Sequence, residues 1–171
     1  GILWLEEPFA PDNVQLHRTL KNKIKNKENS LKIATGENCP NAHLAIDFLG
    51  NNGCDIFQVD ACRVLSISDL IPILCAAKKF KKEIIPHAGG SGLDELVPHI
   101  QAFYLARINP LMPIEKSLME NIGFCSRFFK YPSKIIDGKA KAPYNSGYLG
   151  GFSDLALSSF NNKESEVWLK F

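Results

Sequence analysis

The stretch Glu83-Ile84-Ile85-Pro86-His87-Ala88-Gly89 decides how this chain is read. Its β-branched run has the character of a short buried strand, and an ionisable side chain, His87, stands at the carboxyl end of that strand. Three earlier stretches repeat the pattern. Leu3-Trp4-Leu5 runs into Glu6-Glu7-Pro8, Leu31-Lys32-Ile33-Ala34 into Thr35-Gly36-Glu37, and Phe57-Gln58-Val59 into Asp60. Two carboxylates, an aspartate and a histidine thus end four successive strands, an arrangement a hydrophobic core has no use for.

The intervening sequence reads as helix. Residues 16–25 have helical character weakened by asparagines, and 41–49 carry Leu44, Ala45, Phe48 and Leu49 at helical spacing. Ser68-Asp69 looks like the cap of a helix reaching Phe80. Residues 93–103 form the next helix, with Pro98 expected to kink or shorten it. Continuously apolar strands separated by helices imply an α/β fold with a parallel sheet covered on both faces. A doubly wound open sheet and part of a (β/α)8 barrel both fit. Open sheets gather function at one switch point, whereas barrels bring every strand end to one mouth, so the pattern favours the partial barrel. A full barrel takes about 250 residues. Residues 1–116 are therefore expected to hold βα units. Residues 117–171 should form covering structure, with a helix over 117–129, irregular chain from Ile135 and a short helix near Trp168.

With 171 residues and 45% hydrophobic composition, the chain can bury one sizeable core. Its 20 basic and 18 acidic residues give no general reason to expect a nucleic-acid or membrane partner. The basic run from Lys21 to Lys27 has no interleaved aromatics and reads as a solvated face. Five cysteines, odd in number and without a CxxC pair, fit free thiols in a reducing intracellular compartment, cytoplasm or mitochondrion. No apolar run approaches the ~18 residues of a membrane helix. The chain opens at Gly1 on a strand already ending in chemistry, so it is expected to be part of something longer.

Glu6 and Glu37 are hard oxygen donors on neighbouring strands, suited to Mg²⁺, which takes one or two carboxylates with waters and substrate oxygens. Singly, each also reads as an exposed loop carboxylate; Pro8 and Gly36, which fix the turns, tip the pair toward metal. Glu7 is expected to point away from Glu6, as neighbours on a strand do. Asp60 and His87 suit a dyad in which the carboxylate fixes the imidazole tautomer, although His87 could simply end its strand. His17, His43 and His99 fall on helical stretches and read as surface or interface residues. Gly89-Gly90-Ser91-Gly92 could cradle an anion or be a plain turn. Ser91 has no base in a nucleophile elbow.

These residues resemble a known family. Trp4-Leu5-Glu6-Glu7-Pro8 and Ala34-Thr35-Gly36-Glu37 are similar to the metal-ligand strands of the enolase superfamily. Val59-Asp60-Ala61-Cys62-Arg63 and Pro86-His87-Ala88-Gly89-Gly90, followed by Gly92-Leu93 and Glu95-Leu96-Val97, resemble the mandelate racemase subgroup and within it the L-fuconate dehydratases. The resemblance implies the carboxy-terminal part of a (β/α)7β barrel, with Glu6 and Glu37 on Mg²⁺ and His87, oriented by Asp60, as acid/base. Glu115, in Pro113-Ile114-Glu115-Lys116, matches a family glutamate on the last strand that hydrogen-bonds the substrate carboxylate. The implied reaction removes the proton alpha to a carboxylate and expels the β-hydroxyl, giving a 2-keto-3-deoxy acid.

The resemblance also implies that a lysine base, a third metal carboxylate and a capping domain precede Gly1, so this portion alone is expected to be inactive or nearly so. A truncated, non-catalytic barrel module is the competing reading, and a different barrel enzyme using the same strand ends is a third. An open barrel edge near Gly1 is expected to meet a partner or a second copy.

Overall fold

Four parallel strands form one sheet in chain order: β1 (Trp4–Glu6), β2 (Lys32–Thr35), β3 (Ile56–Phe57) and β4 (Glu83–Ile84). The computed structural model describes residues 1–25, 31–90, 92–142 and 151–160. Glu6 stands beside Ala34, Ala34 beside Ile56, and Thr35 and Ile84 flank Phe57. The ladder extends past the last two strands, with Gln58 N–H donating to Thr35 C=O at 2.9 Å and His87 N–H to Val59 C=O at 3.1 Å. Each pair of neighbouring strands is joined by a helix, as parallel pairing demands. These are α1 (Val14–Lys25), α2 (Ala42–Gly50) and α3 (Ile67–Lys79), with α4 (Leu93–Phe103) following β4. The structure is α/β with a parallel sheet, consistent with part of a barrel.

The helix starts follow capping chemistry. Asn41 accepts the Leu44 N–H at 3.0 Å ahead of α2, and Ser66 accepts the Asp69 N–H at 3.3 Å ahead of α3, two residues before the expected cap. Pro98 does not end α4, which continues to Phe103 and into a π-helical turn over Tyr104–Ile108. Phe48, Leu49, Phe57, Ile73, Leu74 and Ile84, all nearly or fully buried, fill the space between the sheet and α2 and α3. Among the described residues no helix is long and apolar enough to cross a membrane.

Several expectations are corrected. Residues 117–129 are not helical but irregular, ending in a 3-10 turn over Ser126–Phe128, with Gly123 at φ +61° where a right-handed helix cannot continue. The chain after Ile135 contains a hairpin, β5 (Ile135–Ile136) and β6 (Lys139–Ala140). Its turn is Asp137-Gly138, both at positive φ, a strong short hairpin signal. Another helix, α5, spans Asp154–Phe160, and the helix expected near Trp168 lies outside the described residues. His17 is fully buried, edge-on to both Phe9 and Phe48, with Nδ1 2.9 Å from the Asn13 carbonyl. Lys21 is buried too, because its ammonium meets Asp55 at 2.7 Å and the Cys54 carbonyl at 2.7 Å.

Ile73 is fully enclosed in this core. Ile73→Ala is expected to lower unfolding free energy by about 2–5 kcal/mol, measured by urea denaturation.

Candidate active site

Parallel register sets the strand ends of β1 to β4 along one rim, and the turns leaving them aim the polar groups. Gly36, at φ +128°, turns the chain from β2 into Glu37; a Cβ there would meet the Phe57 ring at 2.9 Å. Glu7 leaves β1 at φ +37°, a left-handed conformation rare for a residue with a side chain. That twist breaks strand alternation, so Glu7 and Glu6 both face the rim, against the expectation that one would turn away. Asn38 Nδ2 donates to Glu7 Oε2 at 2.8 Å and to Glu37 Oε1 at 3.2 Å, tying the two turns together.

His87 stands between two carboxylates. Its Nδ1 lies 3.2 Å from Glu37 Oε2 and 2.9 Å from Glu120 Oε2. That nitrogen is buried and neither oxygen lies in line with it as a hydrogen-bond acceptor. Nε2 accepts the Gly89 N–H at 3.1 Å, which places a neutral ring's proton on Nδ1, facing the carboxylates. A Cβ at Gly89 would come within 2.4 Å of Nε2, so only glycine leaves the ring where it is.

Gln58 joins the remaining groups. Fully buried on β3's extension, its Nε2 donates to Glu6 Oε2 at 2.9 Å and to Glu120 Oε1 at 2.7 Å, while its Oε1 is buried with no partner. Glu120 Oε2 also accepts the Ala88 N–H at 3.0 Å. Neither Glu120 nor Gln58 was expected from sequence. Gln58 had a signal, a polar residue inside an apolar strand; Glu120 had none, because it arrives on irregular chain 33 positions after His87.

Asp60 and Glu115 are placed differently from expectation. Asp60 is 4% exposed and its carboxylate is engaged by the Cys62 N–H at 2.7 Å and by Arg63 Nε at 3.5 Å. It shapes its own loop, and the expected Asp60–His87 pair is not formed. Glu115 lies exposed on a 3-10 turn, Ile114–Lys116, not on a strand; Pro113 and the short turn keep that segment out of the sheet. Glu120, not Glu115, is the glutamate that reaches His87.

The donor set suits Mg²⁺ in kind. Glu6 and Glu37 offer hard oxygens, and the unpartnered Gln58 Oε1 is another hard oxygen on a side chain bonded to Glu6. Among the described residues no three histidines, cysteines, aspartates or glutamates converge as a metal cage, so the protein's share would be those carboxylates, with water or substrate completing an octahedron.

Burial raises the Glu37 carboxyl above its ordinary value near 4.5; His87 opposes this, and Glu7, Glu6 and Glu120 reinforce it. A carboxyl raised on folding stabilises the fold below its unfolded value and loses that contribution as pH rises through the folded one. In metal-free protein, Glu37→Gln should therefore withstand more urea than the native protein at about pH 8. The advantage should vanish below about pH 4.5, a comparison that urea melts at the two pH values make directly.

The family Enolase C-terminal domain-like matches residues 1–150. Mitochondrial enolase superfamily member 1 from Homo sapiens is 32% identical over 168 residues, which cover 98% of this chain and 37% of that protein. Its crystal structure superposes with a TM-score of 0.89 over 98% of this chain. L-galactonate dehydratase from Hypocrea jecorina is 30% identical over 145 residues, 85% of this chain and 31% of its own. L-talarate dehydratase from Polaromonas sp. JS666, solved with Mg and L-glucarate, shares the fold with a TM-score of 0.69 at 23% identity, over 90% of this chain and 38% of its own. The chain thus spans about a third of the length of these relatives. The breadth of the family match, together with a sheet and helices that superpose on a solved member along nearly their whole length, makes the conclusion plain: this chain belongs to the enolase superfamily, as a C-terminal barrel portion of the mandelate racemase type.

Proposed function

We propose that the full-length protein is a Mg²⁺-dependent acid-sugar dehydratase, with L-fuconate and L-galactonate as the first substrates to examine. The observation that carries this reading is His87 Nδ1 set between Glu37 and Glu120 at 3.2 and 2.9 Å on the strand-end rim. The dehydratase at 30% identity supports the reaction class.

In this reading Glu6 and Glu37 hold the metal. A Mg²⁺ held by those two carboxylates would supply Lewis-acid stabilisation of negative charge on the substrate carboxylate. A base outside this chain takes the proton alpha to that carboxylate. His87, as an imidazolium, gives a ring proton to the departing β-hydroxyl and is left neutral, so that one C–H and one C–O bond break, a C=C bond forms and water leaves. Glu120 takes the substrate-orienting role that the resemblance assigns to Glu115, because its carboxylate borders the ring and is fixed by Gln58 and Ala88. Asp60 acts indirectly, by holding the loop after β3.

Among the described residues β1 is an outer strand, and its edge would be covered by other strands of the full-length protein or by a second copy. Unbridged Cys39, Cys54, Cys62 and Cys75 support a reducing compartment, cytoplasm or mitochondrion.

With full-length protein, Mg²⁺-dependent release of a 2-keto-3-deoxy acid should fall by about 10²–10⁴ in His87→Ala. Undiminished turnover would remove His87 from the mechanism, and no turnover by native protein on any acid sugar would favour the non-catalytic module. Mg²⁺ at about 100 times its Kd should stabilise native protein by about 2.7 kcal/mol and leave Glu6→Gln and Glu37→Gln unmoved, read as shifts in Tm.

A further inference from the structure

We propose that Asp94 is a positioning residue: from α4 it clamps the segment that carries Glu120 and so sets that carboxylate against His87. The inference deepens the dehydratase reading and rests on it in its kinetic arm alone.

Residues 117–123 have no regular structure, so their backbone groups need partners from elsewhere. In a helix, the Ile122 N–H would bond to the Leu118 carbonyl and the Gly123 N–H to the Met119 carbonyl. Side chains of α4 take those groups instead. Asp94 Oδ1 accepts the Ile122 N–H at 2.9 Å, and Oδ2 accepts the Gly123 N–H at 2.7 Å. Gln101 Nε2 donates to the Leu118 carbonyl at 3.0 Å and to Ser117 Oγ at 2.6 Å. Asp94 and Gln101 stand seven positions apart, on one face of α4, and are 4% and 5% exposed.

The two anchors bracket Glu120. Upstream, Gln101 holds Ser117 and Leu118; downstream, Asp94 holds Ile122 and Gly123. Between them Met119 packs on the cluster of Ala88, Leu93 and Val97, and the Glu120 N–H donates to the Pro86 carbonyl at 3.2 Å. The segment is thereby laid along the β4 exit, with its one carboxylate at His87. Ser133 Oγ donates to the Asp94 backbone carbonyl, so the start of α4 is tied to the covering chain a second time. Charge-assisted bonds to two successive amides are stronger than neutral ones, which is why the downstream anchor outweighs the upstream one.

The test is amide hydrogen exchange on full-length protein, comparing native, Asp94→Asn and Glu120→Ala. Asp94→Asn should lower protection about tenfold or more at Ile122 and Gly123, and also at Ala88, whose N–H rests on Glu120 Oε2. Glu120→Ala should expose Ala88 alike. Loss at Ile122 and Gly123 with Ala88 still protected would overturn the proposal, since Asp94 would then hold the loop without placing Glu120. Asp94→Ser, which keeps one acceptor, carries the same comparison if Asp94→Asn fails to fold. In the kinetic arm, Asp94→Asn should reduce kcat/KM, and adding it to Glu120→Gln should cost nothing further. Independent, multiplying losses would overturn it. Absence of turnover in native protein sinks the dehydratase reading but leaves the exchange result standing.

Discussion

The rest of the structure depends on the parallel register of four short strands. Glu6, Ala34 and Ile56 align across the sheet, and the ladder runs on to His87. Parallel pairing compels a helical return after each strand, so all four carboxyl ends emerge on one side. Slipping one strand by a residue would turn its buried side chains outward and move its polar terminus off the rim. The core formed by Phe48, Phe57, Ile73 and Ile84 therefore holds the chemistry in place as well as the fold.

That rim concentrates negative charge. Glu6, Glu7 and Glu120 all act on Glu37, whose carboxyl is pushed upward by burial first and by those three neighbours as well. The protein answers with amides. Asn38 joins Glu7 to Glu37, Gln58 joins Glu6 to Glu120, and His87 faces two of the four. Neutral donors fix the carboxylates without cancelling their charge, so their hard oxygens keep the capacity to act as ligands. A salt bridge to lysine or arginine would have fixed them equally well and removed that capacity.

Much of this was legible along the chain because it is local. Alternating apolar strands and helices and the ionisable strand ends are written in neighbouring residues, and the family motifs lie on the same stretches. What the sequence misplaced depends on contacts between distant segments. A histidine at helical spacing reads as surface until Phe9 and Phe48 close around it, and Lys21 reads as solvated until Asp55 meets it. The Asp137-Gly138 turn is the exception: its signal was local and strong.

By itself, the sequence determined the α/β class, the order of the βα units and the identity of Glu6, Glu37 and His87 as rim residues, since each follows its strand directly. Only the tertiary structure decided which groups meet His87. Asp60, the partner expected from order along the chain, is engaged within its own loop, and Glu115 lies exposed on its turn. Glu120 takes the place because Asp94 and Gln101 capture the backbone groups a helix would have used. The difference is physical. Strand ends are positioned by the sheet they belong to, whereas irregular chain is positioned by whatever satisfies its amides, and that partner can lie anywhere in the sequence.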